Sequence, residues 1–134
     1  MAEVVIILGA GASVHAGVPV MKDFFDEACD LYDEGKFEGK DREYFEKIRD
    51  AKISLERILA KLNIDLNNIE TIFSLIEMGK LINRFPGCEA DDIKNLHEAI
   101  QKFIVRTIEL KTNFIYKEKE GLAAPPYMNI LQIV

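Results

Sequence analysis

The chain has no tryptophan and little cysteine, histidine or proline: two, two and four residues out of 134. The two cysteines, Cys29 and Cys88, lie far apart and form no Cys-x-x-Cys pair, which leaves out a zinc ribbon and a disulfide-stapled scaffold. They read as reduced thiols of a cytoplasmic protein, with a disulfide as the less favoured alternative. The histidines, His15 and His97, stand alone, so no metal site is expected. Basic runs are missing as well. The net charge is -6, whereas a nucleic-acid binder concentrates Lys and Arg on one face. No apolar run approaches the ~20 residues that span a bilayer. The short run at 4–8 has no basic start and is too brief for a secretory signal. No repeat or low-complexity tract appears.

What is present is a hydrophobic fraction of 49%, enough for one packed domain. Residues 3–8 read as a strand. Their apolar side chains are continuous rather than alternating, as in a parallel strand covered on both faces. Four helices follow from 3.6-residue periodicity. The first covers 21–33, with Phe24, Phe25, Ala28 and Leu31 on one side and Gly35 as its stop. The second runs from a cap at Asp41 to about Leu62, with the stripe Tyr44/Phe45, Ile48, Leu55, Ile58/Leu59 and Leu62. The third, 69–84, opens at Asn67 or Asn68 and ends at Pro86-Gly87; it is apolar on most sides, which predicts burial. The fourth opens at Asp91 or Asp92 and runs to about 118, with Ile93, Leu96, Ile100, Phe103/Ile104 and Thr107/Ile108 in its stripe. A lone strand needs neighbours for its backbone groups. The expectation is therefore the N-terminal part of a larger α/β domain, or a sheet completed by a partner chain or by a short strand from Gln132 onward.

The strand runs straight into Gly9-Ala10-Gly11-Ala12-Ser13, followed by Gly17-Val18-Pro19. Small residues let backbone N–H groups approach a phosphate. The common dinucleotide fingerprint wants a third glycine where Val14 stands, and no Gly-Lys-Ser/Thr of a P-loop follows. The spacing Gly9, Gly11, Ser13, Gly17, Pro19 instead resembles the sirtuin signature Gly-Ala-Gly-x-Ser-x-x-x-Gly-Ile-Pro, with Val18 for the isoleucine. The helical region around Asn68-Ile69-Glu70 is more similar to the SIR2-like branch of bacterial and archaeal defence proteins. The resemblance covers residues 3–25 and implies a Rossmann-like NAD-binding fold, to which the one clear parallel-type strand and the helical region 41–118 read above belong, and NAD as ligand. It implies cleavage of the nicotinamide bond by the complete protein, as an NAD hydrolase in antiphage defence or stress signalling, or, less favoured, protein deacylation. By position, the N–H groups of Ala10, Gly11, Ala12 and Ser13 face the pyrophosphate, and Ser13 could also cap the next helix. Gly9 and Gly11 keep the turn tight, and Gly17 and Pro19 shape the loop beside the nicotinamide ribose. Sirtuins continue from the proline to Phe-Arg; Lys22 supplies a charge there without the planar fork. Catalytic residues are expected beyond Val134.

Each of these features also has a plainer reading. The glycine loop can be a structural turn, Asp23 and Asp26 a solvated helix face, and His97 a packed side chain. Asp91-Asp92 suits capping better than acid–base work, because adjacent helical residues point apart. The rival function is a non-enzymatic nucleotide-binding or helical interaction module, with the 93–115 stripe as a possible homo-oligomer surface. A nucleotide-dependent oxidoreductase or transferase is a weaker third.

Overall fold

The computed structural model describes residues 14 and 17–112. Four α-helices make up the body: α1 (Phe24–Asp33), α2 (Lys40–Leu59), α3 (Ile69–Ile82) and α4 (Ile93–Lys111). A 3-10 turn, Ala90–Asp92, leads into α4. Helix α4 is the centre of the arrangement, with α1, α2 and α3 all packed on it.

The expected Rossmann-like α/β architecture is corrected by this body. Among the described residues there is no strand, and only an isolated bridge joins Phe85 to Cys88 across the Pro86-Gly87 turn. The expected strand at 3–8 and the glycine residues 9–13 lie outside the described residues, as does everything after 112. Among the described residues the helices flank no sheet. They bury their stripes against one another, the helix-on-helix solution for amphipathic segments.

The periodicity that locates the helices also locates the core. Phe24, Phe25, Ala28 and Leu31 of α1 are buried, as are Phe45, Ile48, Ala51 and Leu55 of α2. From α4 come Ile93, Leu96, Ala99, Ile100, Phe103 and Thr107. The 93–108 stripe is thus mostly core, not a free oligomer surface. An aromatic cluster joins three elements. Phe103 meets Phe24 edge-on at 5.9 Å and Phe45 at 5.9 Å, and Tyr32 stacks on Phe45 at 4.4 Å. Such pairs add about 0.5–1.5 kcal/mol each beyond the area they bury. Phe37 joins them from what reads as a polar loop, 5.5 Å from Phe45 and 4% exposed. Thr107, the one buried polar residue among the described residues, satisfies its hydroxyl by donating to the Phe103 carbonyl at 2.8 Å.

Several boundaries shift for local reasons. The first helix begins at Phe24 rather than Met21, and Gly35 stands just past its end, donating to the Tyr32 carbonyl. The second follows Gly39, so Asp41 lies in its first turn and is not its cap; it ends at Leu59, leaving Ile58 and Leu62 exposed. Asn68 caps α3 as expected, its side-chain oxygen accepting from the Glu70 N–H at 2.9 Å. That helix ends at Ile82 because Asn83 adopts the left-handed conformation and Arg84 N–H reaches back to the Gly79 carbonyl, earlier than Pro86-Gly87. Gly79 is buried, and Phe85 folds onto it so closely that a Cβ would lie 2.9 Å from the ring.

Candidate interaction surface

The third helix has two apolar faces. Ile69, Ile72 and Ile76 are 2%, 0% and 0% exposed and point into the core. On the other side Met78, Leu81 and Ile82 are 59%, 84% and 64% exposed. The expectation that this helix is buried on most sides is therefore corrected: an all-round apolar composition here serves one face in the core and one in solvent. Single exposed apolar residues are ordinary, but three within two turns of one helix form a strip. Ser74 is exposed beside them and Leu75 half-buried. Ile58 in the last turn of α2, and Leu62 and Ile64 just after it, are exposed as well.

The predicted nucleotide-site residues divide. Gly9, Ala10, Gly11, Ala12 and Ser13 lie outside the described residues, as does His15. Gly17, Pro19 and Lys22 are described, and the structure gives the first two a packing role. Gly17 has φ +84, donates to the Val14 carbonyl at 2.9 Å, and would place a Cβ 2.5 Å from the Lys111 carbonyl oxygen. It therefore rests on the last residue of α4. Pro19 is buried and Lys22 exposed. The same segment reaches α3, where the Ile69 N–H donates to the Met21 carbonyl at 3.1 Å.

The charges around this segment disfavour an anion. Gly17 faces the C-terminal end of α4, where the helix dipole is negative. The N-terminus of α1, where a bound phosphate would look for free N–H groups, already carries Asp23, Asp26 and Glu27. Glu27 is paired with Lys111, which ties α1 to α4.

Several other polar groups have structural partners. His97 on α4 pairs with Glu77 on α3 beside the Phe73 ring. Asp92 sits at the N-terminus of α4, but its carboxylate accepts from the Asn95 side chain and Lys47, not from a backbone N–H. These contacts hold its carboxyl below the ordinary range, the Asn95 hydrogen bond most of all. Burial raises both cysteine thiols, which makes them weaker nucleophiles. A shallow, open trough of about 570 Å³ between α2 and α4 is lined by charged side chains of both signs, among them Lys40, Glu43, Lys47, Asp50 and Glu98, with Tyr44 and Ala99 as its apolar part; it is not the enclosed, mostly apolar cleft of a small-molecule site. Among the described residues no three His, Cys, Asp or Glu side chains gather as a metal site. No described helix is long and apolar enough to cross a membrane.

The chain matches no protein-family model, no curated protein and no solved structure.

Proposed function

We propose that the described helical body is a non-enzymatic interaction module that docks a partner along the outer face of α3. The observation that carries this reading is the strip of Met78, Leu81 and Ile82, held in water on a helix whose opposite face is fully packed. Burying one large aliphatic side chain is worth about 1.5–3 kcal/mol, so a partner covering all three gains several kcal/mol before its own ordering costs. The test is a photo-crosslinking residue at position 81 in cells that express the full-length protein, with position 94, an exposed lysine on α4, as control. A discrete adduct at 81, absent at 94, supports the reading; no adduct at 81 refutes it.

The glycine spacing of Gly9, Gly11, Ser13, Gly17 and Pro19 favours a second reading, NAD binding by that loop. On this reading the N–H groups of Ala10 to Ser13 hold the pyrophosphate, and the complete protein cleaves the nicotinamide bond. Calorimetric titration with NAD tests it. Binding that Gly11→Val abolishes supports the loop, whereas unchanged affinity in that variant removes it.

A further inference from the structure

We infer that the partner of the α3 strip is a second copy of this chain, its α3 lying antiparallel to the first across a two-fold axis. The inference rests on the interaction reading above and names its occupant. Three features of α3 argue for self-pairing.

The first is spacing. Thr71, Ser74, Met78 and Leu81 recur at intervals of three, four and three residues, the rhythm of a helix–helix seam. All four stand away from the core face, half-buried or exposed. The second is size. Related by a two-fold axis near the level of Ile76, Leu81 of each copy meets Thr71 of the other, and Met78 meets Ser74. Large side chains thus fall opposite small ones, which lets two helices interdigitate without voids. The third is charge. Exposed Glu70 stands at the N-terminal end of the strip, and exposed Lys80 and Arg84 at or just past its C-terminal end. None of the three has an ion pair among the described residues. Antiparallel pairing places Glu70 of each copy against the Lys80–Arg84 end of the other, and it also opposes the two helix dipoles. Parallel pairing would set Glu70 against Glu70. Two-fold contacts of this kind are isologous, so each favourable pair occurs twice.

The seam is short. Fourteen residues make a helix of about 21 Å, and two such helices bury less than the ~1,600 Å² of a standard stable interface. Association is therefore expected to be weak and visible only at high concentration.

Sedimentation equilibrium of the full chain from about 10 µM to 1 mM, a range suited to weak dimers, tests the inference. The expected result is a mass rising toward twice that of the chain. Leu81→Glu, at a position 84% exposed, abolishes the rise while leaving a cooperative thermal transition. Glu70→Lys weakens the dimer, and adding Arg84→Glu in the same chain restores it. A mass that stays monomeric throughout overturns the inference, as does a dimer indifferent to Leu81→Glu. Failure of the charge swap to rescue overturns the antiparallel arrangement. A crosslinked adduct at position 81 of a mass other than two chains also overturns it, yet leaves the interaction reading standing; no adduct either in cells or with the purified chain at about 1 mM, where a weak dimer is populated, removes both.

Discussion

The two faces of α3 yield a matched pair of perturbations. Ile76 is fully buried against α4 and Leu81 is 84% exposed on the opposite side of the same helix. Both truncations to alanine remove similar aliphatic bulk, and alanine is the best helix former, so propensity favours both variants slightly. The difference is then packing alone. Ile76→Ala opens a cavity in the common core, to which Ile72 and Leu96 also belong; such truncations cost about 2–5 kcal/mol. Leu81→Ala removes surface already in water, and changes of that kind stay within about 0.5 kcal/mol. With an m-value of about 1–3 kcal/mol/M in urea, Ile76→Ala should lower the midpoint by roughly 1 M or more, while Leu81→Ala barely moves it. Helical circular dichroism at low micromolar concentration, below the range of weak self-association, is the assay. Equal shifts in the two variants would refute the two-faced description of α3, and so would a neutral Ile76→Ala.

Two further outcomes follow from the geometry of single contacts. Gly17→Ala combines a side chain at φ +84 with a Cβ 2.5 Å from the Lys111 carbonyl; a non-glycine residue held in such a conformation costs about 1–3 kcal/mol, so the urea midpoint should fall, and an unchanged midpoint would show that this segment does not rest on α4. The Glu46 carboxyl is held below its ordinary value, first by the hydrogen bond from the Tyr32 hydroxyl at 2.6 Å and then by Arg42. A depressed folded-state value means that this contribution to stability is present above the unfolded pKa and disappears as pH falls through the folded one. Tyr32→Phe should raise the Glu46 pKa, read by carbon NMR of its carboxyl, and its effect on the urea midpoint should shrink in acid; an unmoved Glu46 titration would remove the Tyr32 contact from the account.

Four helices and most of the core were legible because each buried stripe repeats at the helical period. Phe24, Phe25, Phe45, Ile48, Leu96, Ile100 and Phe103 all lie where that period places them. A cap at Asn67 or Asn68 was legible, and it is Asn68 whose short side chain reaches a backbone N–H two residues on. Phe37 was not, because a single apolar residue between Lys36 and Glu38 has no periodicity to report; only tertiary stacking on Phe45 explains its burial. The outer face of α3 was hidden for the opposite reason. When apolar residues occur all round a helix, the period no longer distinguishes a helix enclosed by neighbours from one packed on a single side. The α/β expectation failed on a related point. It took the apolar run at 4–8 as the organiser of the domain, whereas the described helices close a core on one another.

The glycine-rich segment shows why spacing alone could not assign the site. Gly17 satisfies the motif, and it also satisfies a steric demand from the Lys111 carbonyl, nearly the whole helical body away in sequence. A long-range backbone contact leaves no local trace, so the two reasons for one glycine coincide in the sequence. They separate in the variants. A Gly17 substitution lowers stability through the α4 contact whether or not a nucleotide binds, so lost NAD affinity in that variant says nothing about the loop. The informative position is Gly11. If Gly11→Val keeps the urea midpoint of the parent chain and loses NAD, the glycine served a ligand; if it keeps both, the nucleotide reading falls and the proposal for the α3 surface stands alone.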